Sequence, residues 1–383
     1  MRKSKKIIKC PFVYSLDHAL NEMPHLIQVI TGPRQVGKTT GILQICDRIP
    51  ESKFHYVSAD GDLIKPSSFI VEEWCLAQSK GRGVLLVIDE IQKVENWSET
   101  VKKLWDEQKI KKLNPVKLVL LGSSSIALQR GLSESLSGRY FQHRAYHWGF
   151  ADSKNAYNIL FDEFLLFGGY PGSYELINNK QNWLNYLKGS IISPVIGKDI
   201  LQISRVKSPV LFKQCFDLVC SYPAQEISYT KLLGQLQDKG NTDLVKYYLE
   251  LLEGAYLIKQ LFKYSNKKTI SKSSSPKILP LCPALYSVTL DADLNTEESG
   301  RAFEIIVGAE LSQLPGGLFY WREKDFEVDF IYKYAKKLVA IEVKSGRKKS
   351  SKGIEKFKGY HPDAEIVIAT PQNYLKIIKN LSP

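Results

Sequence analysis

The chain has few cysteines, six in 383 residues (Cys10, Cys46, Cys75, Cys215, Cys220, Cys282), with no CxxC pair and no histidine at zinc-ligand spacing. A disulfide framework and a structural zinc site are therefore both disfavoured. Long hydrophobic runs are missing as well: no stretch approaches the roughly 20 apolar residues needed to cross a bilayer. The basic start MRKSKKIIKC is not followed by an apolar segment of signal-peptide length. Reduced core cysteines, a cytoplasmic location and no membrane partner are expected. No internal repeat is evident.

With 44% hydrophobic and 24% charged residues, most of the chain has the material to fold. Its length exceeds what one hydrophobic core usually serves, so two or three domains are expected. A net charge of +13 and a pI near 9.2 favour encounter with polyanions, among them nucleic acid and nucleotides.

From residue 26 to about 150, the short apolar runs LIQVI, FHYVSA, VLLVIDE and KLVLLGS alternate with amphipathic stretches. Continuous apolar runs separated by helical patterns signify a parallel sheet buried on both faces, hence an α/β domain. Residues 151–205 read as helices, a candidate lid, interrupted by FGGYPGSY at 167–174. Residues 206–265 give three helices and an apolar strand, YLIKQLF, the pattern of a winged helix-turn-helix that would bind DNA or a protein partner. Its third helix places Val245, Tyr248, Leu249 and Leu252 on one face, with Thr242 as N-cap and Gly254 as C-terminal stop. A polar run, SNKKTISKSSSPK, then leads into a second α/β region, so that 266–383 form the last domain.

The first strand ends in GPRQVGKTT, Gly32 to Thr40. Such a loop turns backbone N–H groups toward phosphates and aims a helix N-terminus at them. Gly32, Pro33, Arg34, Gln35, Val36, Gly37, Lys38, Thr39 and Thr40 would form the nucleotide cradle. Lys38 would neutralise the β and γ phosphates, and Thr39 would give its hydroxyl to Mg²⁺. About fifty residues on, VLLVIDE ends in Asp89, a second Mg²⁺ ligand, and Glu90, placed to activate water. Ser123 (or Ser124), after KLVLLG, would contact the γ phosphate or the water. Arg139 in SLSGRYF would stabilise transferring phosphoryl charge in its own subunit or in a neighbour, with Arg34 as the alternative. A trans-acting Arg139 would make the protein a homo-oligomer.

In EVDFIYKYAKKLVAIEVKSG, strand alternation puts Glu342 and Lys344 on one side of a strand, within reach of Asp329 on the strand before. Two carboxylates around a hard cation beside a lysine are minimal equipment for phosphodiester hydrolysis. Glu304 would be a further metal ligand. Residues 333–358 carry ten lysines and arginines against two acids, a candidate phosphate-backbone track.

Taken in order, GPRQVGKTT, LLVIDEIQKV, LLGSSS, LSGRYF, FGGYPGSY, the winged-helix segment and EVDF with AIEVKSG resemble prokaryotic AAA-type ATPases that carry a C-terminal restriction-endonuclease-like, PD-(D/E)XK domain. The resemblance covers nearly the whole chain. It implies ATP and Mg²⁺ at Lys38, Thr39, Asp89 and Glu90, supporting roles for Ser123 and Arg139, and a nuclease-like pattern at Asp329, Glu342 and Lys344. One departure is LCPALYSV, where the family carries an aspartate followed by glycine and leucine. The implied function is an Mg²⁺-dependent ATPase whose C-terminal domain acts on or binds DNA; the alternative is a nucleotide-driven switch with a catalytically silent C-terminal domain.

Overall fold

The computed structural model describes residues 9–61, 63–110, 115–122, 125–201, 206, 208–236, 241–265, 275–346 and 352–382. Two compact units divide the chain, the first drawn from residues 1–146 and 194–204 and the second from 147–193 and 205–383.

The first unit is built on a five-stranded parallel sheet in the order β2-β3-β4-β1-β5. Its strands are β1 (Ile27–Thr31), β2 (Phe54–Ser58), β3 (Leu85–Asp89), β4 (Lys117–Leu121) and β5 (Tyr140–Arg144). All five residues of β1 and of β3 are buried, as befits central strands covered on both faces. Leu86, Val87 and Ile88 are fully buried, each contributing on the order of 2 kcal/mol of apolar burial. Flanking helices close the core with Trp74 and Trp105, whose rings meet edge to face at 6.4 Å. Four strands fall where the apolar runs lie. The fifth, YFQHR, is too polar to have shown itself as a strand and forms at the sheet edge beside β1.

In the second unit, helices Pro209–Ser221, Tyr229–Gln235 and Thr242–Gly254 accompany a small antiparallel sheet, β6 (Gln225–Glu226), β7 (Ile258–Leu261) and β8 (Lys277–Pro280), in the order β6-β8-β7. The third helix buries Val245, Tyr248, Leu249 and Leu252 as its spacing predicts. Its N-cap is Asn241, whose Oδ1 accepts from Leu244 N at 2.9 Å, and not Thr242. Both types can cap, but only Asn241 has extended backbone with its side chain turned onto the helix end.

The FGGYPGSY segment is a packing junction. Gly168 has φ +65, and a Cβ there would meet Ala284 N and Cys282 Sγ, both at 2.7 Å. Gly169 N donates to Cys282 Sγ at 3.1 Å, and Tyr174 OH donates to Gly168 O at 2.6 Å. LCPALYSV therefore has a structural use here: Cys282 precedes the Pro283–Ser287 helix and receives the glycine pair.

The chain ends in helix Thr296–Leu311, the antiparallel strands β9 (Gly317–Glu323), β10 (Phe326–Tyr334) and β11 (Lys337–Val343), helix Lys352–Tyr360, β12 (Glu365–Ala369) parallel to β11, and helix Tyr374–Leu381. A bulge between Val328 and Ile331 breaks the β9–β10 register at Asp329. Bulges re-aim side chains in this way.

Five cysteines are buried and all six are free. Cys75 is exposed, against the expectation of a core position, because it lies on the outer side of helix Ser68–Ser79, which buries Ile70, Trp74 and Ala77. Among the described residues no helix is long and apolar enough to cross a membrane.

Candidate nucleotide site and C-terminal cleft

The loop after β1 runs over the carboxyl end of the parallel sheet, where open α/β folds bind ligands. Gly32 has φ +149, and a Cβ on it would stand 1.9 Å from the Ala145 carbonyl oxygen. Gln35 (φ 61) and Gly37 (φ 88) are also left-handed, and Gly37 caps helix Lys38–Cys46. Successive turns of this kind free the first N–H groups of the helix for an anion. The loop is backed by the segment before β1: Cys10 Sγ contacts Gly37 O at 3.5 Å, Cys10 N donates to Gln44 Oε1, and Gly41 would lose its fit against Phe12 if it carried a Cβ. Burial pushes the Cys10 thiol up to about 11, leaving it protonated in ordinary buffers.

Lys38 is 8% exposed and donates to the carbonyl oxygens of Gly32 at 3.0 Å and Pro33 at 2.6 Å, which keeps its ammonium on the loop. Thr39 Oγ1 donates to Asp89 Oδ2 at 2.7 Å. Tyr56 OH donates to the same oxygen at 3.0 Å, while Asp89 Oδ1 accepts from Glu90 N at 2.9 Å. Burial and then the Asp89 charge hold the Tyr56 phenol well above its ordinary value, so it stays a donor. Glu90 is left-handed (φ 54) and accepts a hydrogen bond from Gln92 Nε2. Gln92 in turn fills the space that a Cβ on Gly122 would need, at the end of β4. Sequence reading missed Gln92 and Tyr56; the signal for Gln92 was its place two residues past the acidic pair.

Val36 is buried, and Thr40 is exposed. Arg34 adds its positive charge to the Lys93 hydrogen bond that chiefly holds the Asp60 carboxyl below its ordinary range, beyond the end of β2. Ser123 lies outside the described residues, as does Ser124.

Arg139 is not brought to this loop within the chain. Ile27 pairs with Tyr140 and Thr31 with Arg144, so Arg139 precedes β5 at the end of the sheet opposite the loop. Ile27 N donates to its carbonyl. Its guanidinium forks onto Asp106, Nε to Oδ1 and Nη2 to Oδ2, both at 3.0 Å. The five-residue strand β5 puts about 16 Å between the Arg139 backbone and the phosphate end. The arginine opposite Thr31 is Arg144, exposed and without an ion pair to any described residue. Nothing in its local sequence marked it.

In the second unit, Glu304, Asp329, Glu342 and Lys344 do converge, lining a cleft of about 1120 Å³ that Arg301, Arg322 and Lys352 also border. Phe330 stands opposite Ile341, so Asp329 and Glu342 are cross-strand neighbours; Asp329 Oδ2 accepts from Val343 N at 2.8 Å. The carboxylates gather around an ammonium that sequence reading missed. Lys277, the first residue of β8, is 1% exposed and donates to Glu304 Oε1 at 2.7 Å and Glu327 Oε1 at 3.4 Å, with Asp329 Oδ1 at 4.0 Å. Burial presses its pKa down, but Glu304, Asp329 and Glu327 outweigh that and hold it above the ordinary lysine value. Among the described residues no group of three or more His, Cys, Asp or Glu side chains is arranged to hold a metal ion.

A glycine-rich loop over the carboxyl end of a parallel sheet, with Lys38 on the loop and Thr39 joined to Asp89, defines a P-loop ATPase domain of the AAA type. Family comparison agrees: residues 24–153 match the AAA domain model, while 158–295 and 299–381 match two domains of unknown function, DUF8612 and DUF4143. The chain is 28% identical over 352 residues to an uncharacterized protein of Methanocaldococcus jannaschii, covering 85% of this chain and 76% of that one. It is 26% identical over 339 residues to an uncharacterized protein of Mycobacterium tuberculosis, covering 86% and 72%. Among solved structures, the Walker-type ATPase of Pyrococcus abyssi superposes with a TM-score of 0.52 at 16% identity, covering 73% of this chain and 94% of that one, a likeness of fold.

Proposed function

We propose that this protein is an Mg²⁺-dependent ATPase that works as a nucleotide-driven switch, with its C-terminal unit as the output. The contact of Thr39 with Asp89 at the foot of the Lys38 helix carries this reading. It presents two hard oxygen donors beside a phosphate-binding helix end, the donor set Mg²⁺ prefers. Bound there, Mg²⁺ would offset phosphate charge and fix the nucleotide's orientation. Lys38 exchanges its carbonyl partners for phosphate oxygens, and the loop N–H groups take the rest of the anion. Glu90, steered by Gln92, accepts the proton of the attacking water. Lys38→Ala is expected to abolish ATP binding. Asp89→Asn, which keeps the size of the side chain, should bind nucleotide yet lose hydrolysis about 100-fold. Mg²⁺-dependent turnover at the native rate in Asp89→Asn would sink the assignment.

The order helix, strand, helix, helix and two-stranded hairpin over residues 209–280 supports a winged helix-turn-helix, and the convergence of Glu304, Asp329, Glu342 and Lys344 supports an endonuclease-like domain. The cleft's basic border, Arg301, Arg322, Lys344 and Lys352, favours DNA as the partner that this unit holds without cutting. DNA binding should weaken steeply as salt rises, and plasmid should remain intact with ATP and Mn²⁺. Salt-independent binding would exclude the phosphate track; cleavage lost in Asp329→Ala would restore the nuclease reading. An Arg139 acting on a neighbour's nucleotide would make the working form a homo-oligomer.

A further inference from the structure

The centre of the C-terminal cleft already contains a cation supplied by the chain. Lys277 begins a four-residue strand whose residues are all buried, and its Nζ reaches the main-chain oxygen of Asp329 at 3.3 Å as well as the three carboxylates. A lysine buried to this degree is stable only with such partners. The carboxylates depend on it equally, because Glu304 and Asp329 side chains are only 14% and 10% exposed. Oxygen ligands of Mg²⁺ or Mn²⁺ must close to roughly 2.0–2.6 Å around one point. Here that point lies among oxygens already drawn onto an ammonium, and a metal entering beside it would face a like charge in a poorly solvated place.

We propose that Lys277 is the resident cation of this cleft: it occupies the position of a divalent metal, excludes metal from Glu304, Glu327 and Asp329, and leaves a site whose chemistry is binding rather than metal-assisted hydrolysis. The inference is independent of the ATPase reading. Its corollary is a latent metal site that opens when the ammonium is removed without loss of the carboxylates.

Mn²⁺ binding to the nucleotide-free full chain, followed by the electron spin resonance of free Mn²⁺, tests this in an Asp89→Asn background that removes the carboxylate ligand proposed for the nucleotide-site metal. The Lys277-containing protein should take up no Mn²⁺ that depends on Asp329. Lys277→Met should take up about one Mn²⁺ per chain, and Asp329→Asn added to it should abolish the uptake. Removing Lys277 strands three carboxylates, so Lys277→Met should melt lower in metal-free buffer. Saturating Mn²⁺ should raise that midpoint by roughly 5 °C, whereas Lys277→Met with Glu304→Gln, relieved of one charge, should fold without metal and show no such rise. Mn²⁺ uptake by the Lys277-containing chain that vanishes on Asp329→Asn would overturn the proposal. So would a Lys277→Met protein that neither binds Mn²⁺ nor is stabilised by it.

Discussion

Alanine at Gly32 would put a methyl group 1.9 Å from the Ala145 carbonyl oxygen on a backbone with φ +149. Real contacts of this kind are longer than 3 Å, so loop and Ala145 must part by more than an ångström. Ala145 cannot give way freely, since its N–H donates to Thr31 O at 2.7 Å and holds β5 to β1. Backbone strain of about 1–3 kcal/mol and the weakening of one buried hydrogen bond, about 1 kcal/mol, sum to roughly 2–4 kcal/mol. For a unit of this size the transition should fall by roughly 4–16 °C. Because the displaced loop is the one that cradles phosphate, ATP affinity should fall as well. Gly81→Ala separates the terms: φ there is +117 with nothing within 4 Å of the added carbon, so it carries the backbone cost alone and leaves nucleotide binding intact. Calorimetry of both variants with and without ATP is the assay. A Gly32→Ala protein that melts like Gly81→Ala and binds ATP like the parent would refute the reasoning.

Arg139→Ala should lower the melting temperature slightly, by releasing Asp106, and leave the ATPase rate of dilute single chains unchanged. A concentration-independent loss of turnover would put the arginine back in its own site. Glu310 offers a pH test. Burial raises its carboxyl to about 7 from 4.5, against the pull of the Phe150 N–H at 3.3 Å. The native state thus holds a proton that the unfolded chain releases, so this contribution is complete below about pH 4.5 and is lost as pH rises through 7. The gap between the two values corresponds to about 3 kcal/mol at most. Glu310→Gln keeps the acceptor for Phe150 N and should be the more stable protein at pH 8, with a flatter melting profile between pH 5 and 8; a profile parallel to the parent's would contradict the assignment.

The nucleotide loop and the acidic pair were legible because each is contiguous: one short segment contains both the strand end and the residues it positions. Tyr56 and Gln92 were not, since their roles exist only once β2 lies beside β3 and Gln92 backs onto Gly122. Arg139 shows another limit. A motif names a residue but not the end of the sheet it occupies, and the register of β5 on β1 decided that Arg139 and Arg144 lie at opposite ends. In the C-terminal region the strand pattern brought Asp329, Glu342 and Lys344 together correctly on paper. It could not reveal Lys277, which reaches Asp329 from another sheet across a gap in sequence of 52 residues. The only local hint was a lysine heading the apolar run KILPL.

The segment that lies behind the phosphate loop has a thermodynamic implication. Cys10, Phe12 and Val13 lie close against Gly37 and Gly41, so this stretch of chain is in direct contact with the loop and the start of its helix. Coupling free energy is reciprocal: to the extent that order in residues 9–22 sharpens the grip on nucleotide, nucleotide orders residues 9–22 to the same degree. A stretch with no phosphate-binding residue of its own thereby becomes a handle on the occupancy of the loop.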